Sequence, residues 1–236
     1  YCNYWRSEAC LEARGTDQQF GSVPFMRKLP KKYGFTVDGP AGELEALLES
    51  PQDVEPSAVA VVCHPHPLHG GTMQNKVAHT LARSFVAAGI PALRFNFRGV
   101  GKSAGAFDDG NGEVADALAA VSWLRDEAPG LPLWLSGFSF GAAMAIRASV
   151  ECEPAGLISV APAVSRFAGN LERQPGCPWL IVHGDQDELV DVEETIAWVN
   201  ELEPGPELEV FPETDHFFHG KLVLLRNAVE EFVARH

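Results

Sequence analysis

The sequence predicts an α/β fold, in which helices cover both faces of a mostly parallel sheet of about eight strands. From residue 58 onward, apolar runs of strand length alternate with segments of helical periodicity, as in a parallel sheet with crossover helices. The length of 236 residues suits one α/β domain, and a hydrophobic content of 46% is enough for a large core. One of the apolar runs ends in a Gly-x-Ser-x-Gly motif, which fits a sharp turn from a strand into a helix.

The N-terminal residues fit this pattern poorly. Residues 1–25 lack a clean period and hold two of the five cysteines, whereas Met26 resembles a natural start. We therefore expect residues 1–25 to be either an appended leader or a true N-terminal extension that packs on the domain or on a partner chain. Residues 26–236 are expected to form a single domain.

The predicted elements follow from hydrophobic period and turn residues. Two short strands around a glycine- and proline-containing turn predict an antiparallel hairpin at one edge of the sheet, the runs at 58–63 and 156–161 predict buried strands, and four more runs predict further strands. The predicted strands cover residues 33–37, 44–49, 58–63, 90–97, 131–136, 156–161, 179–182 and 208–211. The predicted helices cover residues 75–88, 112–127, 140–150, 192–202 and 222–234. Ligands of such a sheet bind at the carboxyl ends of its strands.

Composition excludes several classes of function. With 18 basic and 32 acidic side chains, the net charge of −14 repels nucleic acid and anionic membranes, so we expect neither as a partner. The five cysteines form no Cys-x-x-Cys pair, which argues against a zinc site or a disulfide framework and favours the reducing cytoplasm. No apolar run reaches the length of about 18 residues that spans a bilayer. The first residues lack the apolar core of a secretion signal.

The Gly-x-Ser-x-Gly motif predicts a reactive serine. Ser139 stands where an apolar run meets a helix-forming run, so its backbone is expected to be strained and its hydroxyl exposed. Gly137 and Gly141 have no Cβ, which lets the strand and the helix approach closely. The alternative is a turn of small residues that only packs helix on strand.

A serine hydroxyl becomes a nucleophile only when a base takes its proton and a third group orients that base. Asp185 and Asp187 both follow the apolar run at 179–182. We favour Asp187, because the later aspartate has room to turn back toward the edge of the sheet. The alternative for Asp185 is a turn residue that binds backbone N–H groups.

Eight histidines compete for the role of base. His216 follows the last predicted strand, which gives the chain order Ser, Asp, His. His219 is the second choice, since it stands three residues further on and could face the same side. His183 ends a strand and is expected to pack beneath the loop of the acid.

Two other motifs are interpreted as structural. His64, His66 and His69 have a spacing that metal ligands can use, but no carboxylate lies beside them and two prolines hold the chain extended. We therefore expect no metal. Residues 98–103 lack the spacing of a phosphate-binding loop, so a tight turn is the better interpretation. No cofactor is expected.

The loop with the three histidines suits an oxyanion hole better. At such a serine turn, one N–H comes from the residue after the nucleophile, which here is Phe140, and the other commonly comes from a loop after an earlier strand. His66 and Leu68 are the two candidates for the second donor, because Pro65 and Pro67 have no N–H.

Four motifs together resemble those of the α/β-hydrolase superfamily, and more narrowly of small lidless serine hydrolases related to dienelactone hydrolase. They are HPHPLHGGTM at 64–73, LRFNFRGVG at 93–101, GFSFG at 137–141 and HGDQD at 183–187. The resemblance covers about residues 32–236. It implies the α/β-hydrolase fold without a cap domain, a catalytic triad and the hydrolysis of carboxylic esters.

Carried over to this sequence, the triad is Ser139, Asp187 and His216. Dienelactone hydrolase itself uses a cysteine nucleophile, so the serine found here means that its particular substrate does not transfer. The expected reaction is acyl transfer to water through an acyl-enzyme, without a metal or cofactor.

The expected partner is a small-molecule ester with a short acyl chain, because only residues 162–178 separate two strands where a lid would be inserted. Phe138, Phe217 and Phe218 are candidates to line the acyl pocket, with core packing as the alternative for each. A serine peptidase or thioesterase would use the same residues, and a non-catalytic binding protein can share the fold. A monomer and a homodimer both fit the sequence.

Overall fold

The computed structural model describes residues 31–168, 171 and 173–236, whose strands form one sheet. The proposed extension at residues 1–25 lies outside the described residues. The eight strands are β1 (Lys32–Gly39), β2 (Gly42–Glu49), β3 (Val59–Cys63), β4 (Ala92–Phe95), β5 (Leu133–Phe138), β6 (Gly156–Val160), β7 (Trp179–Gly184) and β8 (Glu207–Phe211). Their order across the sheet is β1-β2-β4-β3-β5-β6-β7-β8.

The sheet is parallel except at one edge. β1 and β2 form the predicted antiparallel hairpin, and β2 also runs antiparallel to β4. Every other neighbouring pair is parallel. The prediction of a mostly parallel sheet of eight strands is therefore confirmed. Because parallel strands end at the same edge, the loops after β5, β7 and β8 open on one side of the sheet.

Helices cover both faces, as predicted. They are α1 (Lys76–Ala87), α2 (Asn111–Glu127), α3 (Phe140–Cys152), α4 (Val164–Phe167), α5 (Val192–Asn200) and α6 (Leu222–Arg235). Along β3, Val61 belongs to the core under α2 and α3, whereas Val62 belongs to the core under α1 and α6. Alternate side chains of a strand point to opposite faces, so one apolar run supplies both cores.

The connection from β6 to β7 has no room for a large lid. In its described part the only helix is α4, which has four residues. A helix this short has no period that a sequence pattern could reveal, and it was not predicted. Within the described ranges, every helix is too short or too polar to span a lipid bilayer.

The fourth strand is shorter than predicted. The apolar run at 90–97 is a strand only over Ala92–Phe95, although Asn96 still donates its N–H to the backbone oxygen of Glu45 at 2.8 Å. Beyond that point side chains hold the backbone, since Phe97 donates its N–H to His64 Nε2 at 3.0 Å and Arg98 donates its N–H to Asp116 Oδ2 at 3.0 Å. An extended segment shows the same hydrophobic pattern whether its backbone pairs with a neighbouring strand or is bound by side chains.

The glycine-rich loop after β4 is a structural turn. Two hydrogen bonds join the Arg98 guanidinium to the buried carboxylate of Asp116, Nε–Oδ2 at 3.0 Å and Nη2–Oδ1 at 2.7 Å. The Glu45 carboxylate accepts the backbone N–H of Lys102 at 3.0 Å. This N–H group already donates to a carboxylate, whereas a phosphate-binding loop would use it to bind phosphate.

Candidate active site

Ser139 lies on a strained turn between β5 and α3. Its φ of 56° and ψ of −119° fall where residues with a Cβ are rarely found, and its N–H donates to Val160 O at 2.8 Å. A Cβ on Gly137 would lie 2.3 Å from Gly141 O, so the strand and the helix approach as closely as the glycines allow. The strained turn predicted for the Gly-x-Ser-x-Gly motif is thus present.

The imidazole of His216 reaches the serine hydroxyl. Its Nε2 lies 3.1 Å from Ser139 Oγ, although the two residues are 77 positions apart in the chain. His216 is only 2% exposed, and its backbone N–H donates to Glu188 Oε2 at 3.1 Å. This bond fixes the loop after β8 that carries the histidine.

Asp187 completes a hydrogen-bonded chain. Its Oδ2 lies 2.7 Å from His216 Nδ1, and its Oδ1 accepts the N–H groups of Leu189 at 2.9 Å and Val190 at 2.8 Å. Burial works to raise the pKa of Asp187, but the hydrogen bonds from His183, His216 and Val190 outweigh it and hold that pKa below its usual range. The carboxylate is therefore ionised at neutral pH.

The charge of Asp187 sets the tautomer of His216. An ionised carboxylate can only accept, so the proton of the neutral imidazole sits on Nδ1. Nε2 is then free to accept the hydrogen of the Ser139 hydroxyl. A hydroxyl, a base and an orienting anion in this order can generate a nucleophilic serine.

The alternatives from the sequence lie elsewhere. Asp185 Oδ1 accepts the N–H of Thr214 at 3.3 Å, which matches the turn role considered for it. His219 is exposed, and its Nδ1 lies 2.7 Å from Asp215 Oδ2. His183 packs beneath the acid loop, as expected, but its Nε2 also lies 3.2 Å from Asp187 Oδ2. No pattern in the sequence predicts that contact.

Two of the three N–H groups that the sequence offers for an oxyanion hole have no acceptor among the described residues. Among the described residues, neither Phe140 nor His66 donates its N–H to an acceptor, and Phe140 begins helix α3. Leu68, the other candidate, donates its N–H to His66 Nδ1 at 3.2 Å. This hydrogen bond distinguishes the two candidates that the sequence left open.

The side chain of His64 fixes the loop that carries His66. It is buried, with Nδ1 donating to Pro65 O at 2.6 Å and Nε2 accepting from Phe97. Pro65 C=O and His66 N–H belong to one peptide plane and point in opposite directions, so the imidazole orients that N–H. Burial lowers the pKa of His64 to about 4, which keeps the ring neutral.

With both of its ring nitrogens engaged, His64 offers no ligand atom to a metal. In the part of the chain that the structure describes, no group of three or more histidine, cysteine, aspartate or glutamate side chains could hold a metal ion.

Aromatic side chains flank His216 on two sides. Phe138 has no exposed surface and packs on the imidazole with a centroid distance of 4.9 Å, so it lies in the core behind His216 rather than on a surface open to substrate. Phe218 is also fully buried. Phe217 is 40% exposed, and its ring centre lies 5.2 Å from that of His216. Of these three candidates, Phe217 alone is placed to meet a substrate.

A second aromatic group lies on the side of His66. Its ring contacts Phe107, Phe140 and Phe167, with centroid distances of 4.8, 5.0 and 5.9 Å. Phe107 and Phe167 come from two separate connections, and no motif singles them out.

Comparison with known proteins places this geometry in a family. The model of the serine aminopeptidase family, S33, matches residues 55–171. A lidless α/β serine hydrolase of Xanthomonas campestris is 43% identical, with a TM-score of 0.83 over 88% of this chain and 96% of its own. An α/β serine hydrolase homologue of Coxiella burnetii is 44% identical, with a TM-score of 0.81 over 84% and 96%.

A more distant neighbour has a name that includes an activity. The esterase Pf2001 of Pyrococcus furiosus is 20% identical, with a TM-score of 0.74 over 86% of this chain and 92% of its own. At this identity the likeness is one of fold.

Proposed function

The chain belongs to the α/β serine hydrolases without a lid, and we propose that it is a carboxylesterase for small esters that uses Ser139, His216 and Asp187 as a catalytic triad. The observation that carries the proposal is the unbroken chain of hydrogen bonds, 3.1 Å from Ser139 Oγ to His216 Nε2 and 2.7 Å from His216 Nδ1 to Asp187 Oδ2.

The first half of the reaction acylates the enzyme. His216 Nε2 takes the hydroxyl proton while Ser139 Oγ forms a bond to the ester carbonyl carbon. The N–H groups of Phe140 and His66 hold the oxyanion that develops, and the dipole of α3 adds to this stabilisation. The bond to the alkoxy oxygen then breaks, and His216 gives its proton to the departing alcohol.

The second half returns the enzyme to its starting state. Water loses a proton to His216 and attacks the acyl carbon, and the acid leaves as Ser139 regains its hydrogen. Asp187 stays ionised throughout. It holds the imidazole in the Nδ1–H tautomer and stabilises the imidazolium that forms twice in each cycle.

His66 is the second oxyanion donor in this proposal. Its N–H has no acceptor among the described residues, whereas the N–H of Leu68 is bound to His66 Nδ1. The hydrogen bond from His64 to Pro65 O orients the peptide in question. An oxyanion donor that is held before substrate binds loses little free energy to reorganisation.

The proposed substrates have short acyl chains. Residues 162–178 are too few for a cap, which agrees with the lidless Xanthomonas relative. Without a cap, little apolar wall is available to bury a long chain, and Phe217 is the exposed aromatic nearest to His216. An esterase among the fold neighbours supports ester cleavage as the reaction class.

A panel of p-nitrophenyl esters tests the proposal. We expect the wild type to hydrolyse acetate and butyrate esters fastest and Ser139→Ala to lose at least about 10⁴-fold in kcat. A fluorophosphonate should label the wild type and not the variant. A rate maximum at long chains would contradict the proposed substrate size, and an unlabelled Ser139 would favour a non-catalytic binding protein.

A serine peptidase is the second candidate, because the matching family model is that of a serine aminopeptidase. Aminoacyl p-nitroanilides discriminate the two: cleavage of these at a kcat/KM above that for the best ester would replace esterase with peptidase. A thioester substrate in the same panel tests the thioesterase alternative.

A further inference from the structure

The buried imidazole of His183 lies against the carboxylate of the proposed triad. His183 stands near the end of β7 and has no exposed surface. Its Nε2 is 3.2 Å from Asp187 Oδ2 and 3.1 Å from the carbonyl oxygen of Val190. Both of these partners only accept hydrogen bonds, so Nε2 must carry a proton and donate to them.

The other ring nitrogen argues that the ring is neutral. His183 Nδ1 is buried and has no hydrogen-bond partner among the described residues. A proton on Nδ1 would create a buried donor without an acceptor, which is costly, whereas an unprotonated nitrogen loses only a weak acceptor. The Nε2–H tautomer therefore accounts for all the contacts of this ring.

The Asp187 carboxylate consequently receives four N–H groups. The N–H groups of Leu189 and Val190 donate to Oδ1, while His183 and His216 both donate to Oδ2. The backbone donors hold one oxygen, and only the two imidazoles hold the other. His183 is the one that does not move a proton in the proposed reaction, so it can fix Oδ2 while His216 changes its charge.

We propose that His183 is a positioning residue, which holds Oδ2 of Asp187 where His216 needs it and ties the acid loop to β7 through Val190. This inference rests on the proposed function. It adds a second histidine on the far side of the carboxylate, which acts on Ser139 only through Asp187 and His216.

Two variants of similar size separate positioning from packing. His183→Gln keeps an N–H donor near the position of Nε2, with one hydrogen for Asp187 and one for the Val190 carbonyl. His183→Met fills the same space with an apolar chain and donates nothing. Packing alone would be preserved by Met, whereas positioning would be preserved by Gln.

We expect kcat for p-nitrophenyl acetate to fall at least about tenfold in His183→Met, the size of one hydrogen bond to a charged group, and to recover most of that loss in His183→Gln. KM should stay within about twofold in both, because His183 touches no substrate. Melting temperatures report whether each variant is folded. A Met variant with the wild-type kcat, or equal losses in two folded variants, would overturn the proposal.

Two further readouts keep the test independent of the ester and of the variants' folding. Fluorophosphonate should label Ser139 fastest in the wild type, more slowly in His183→Gln and slowest in His183→Met. If the wild type is labelled but cleaves no ester, the proposed function is refuted, and the labelling rates still test the role of His183. In the wild type at neutral pH, long-range ¹H–¹⁵N spectra should show the Nε2–H tautomer for the ring whose signals are lost in His183→Gln. An Nδ1–H tautomer there would refute the inference.

Discussion

His64 and His216 are both buried imidazoles in loops that follow strands, and both use their two ring nitrogens in hydrogen bonds. The partners differ. His64 lies between two backbone groups, the Pro65 carbonyl and the Phe97 N–H, whereas His216 lies between a carboxylate and a hydroxyl. The first ring can only hold a loop in place, while the second can accept a proton and have its new charge stabilised.

The comparison teaches that burial does not by itself decide what a histidine does. Burial without a nearby anion lowers the pKa of His64 to about 4, so this ring stays neutral at neutral pH. At His216 the ionised Asp187 lies 2.7 Å away, so a carboxylate faces the ring that takes a proton in the proposed reaction. Four predictions challenge or sharpen this contrast.

The largest effect is expected from removing the proposed base. His216→Asn should lower kcat by between about 10⁴- and 10⁶-fold, because among the described residues no other base lies within hydrogen-bond distance of the Ser139 hydroxyl. His64→Asn should lower it by no more than about 10²-fold, since it disturbs only the orientation of one oxyanion donor. Steady-state rates on p-nitrophenyl acetate measure both. Equal losses would mean that the two rings do not have the different roles assigned to them.

The carboxylate comes next. Asp187→Asn should cost about 10⁴-fold in kcat, because an amide can donate to Nδ1 and stabilise the wrong tautomer. Asp185→Asn, two residues away, is the matched control and should cost less than about tenfold, since it weakens one hydrogen bond to Thr214. A reversal of this order would identify Asp185 as the acid.

The third prediction concerns pH and His64. Its pKa of about 4 in the folded state lies below the ordinary value of 6.5, so only the unfolded chain gains this proton as the pH falls from 6.5 toward 4. Stability should drop by about 3 kcal/mol over that range and be unaffected by this residue at higher pH.

Urea titrations at several pH values measure this effect. His64→Asn should be less stable than the wild type at neutral pH, and its stability should fall less between pH 6.5 and 4. Parallel curves for the two proteins would show that His64 does not carry the effect. The stabilisation that comes with the lowered pKa of Asp187 is present above its ordinary value of 3.8 and is lost only as the pH falls below that value.

The smallest effect is expected where the two regions meet. A Cβ on Gly141 would lie 2.3 Å from the carbonyl oxygen of His64, so the loop and the elbow would have to separate. Gly141→Ala should cost about 2 kcal/mol of unfolding free energy and also lower kcat. Gly176→Ala is the control, because the space around Gly176 is open. A neutral Gly141→Ala would mean that this contact is not tight in solution.

Much of the fold was predictable because it depends on local patterns. Alternating apolar runs and helical periods predicted the eight strands and five of the six helices, with ends shifted by a few residues. The motif around Ser139 predicted a strained turn, and its φ of 56° agrees. The four-residue α4 and the short β4 were not predicted, because neither leaves a period of its own.

The candidate site was predictable only in part. Position after strands singled out Asp187 and His216, and the structure brings both to Ser139. Sequence alone did not distinguish His66 from Leu68, because a free N–H depends on which acceptors lie nearby. It also offered Phe138 as a pocket residue, although that ring is buried behind His216.

The sequence by itself determined the succession of strands and helices, the strained serine and the absence of N–H donors at the prolines, since each depends on a residue and its chain neighbours. Only the tertiary structure decided which side chains meet. His216 contacts Asp187, 29 positions away in the chain, and Ser139, 77 positions away, because parallel strands end at one edge of the sheet. The placement of His183 against Asp187 is a result of the same folding, and no local pattern records it.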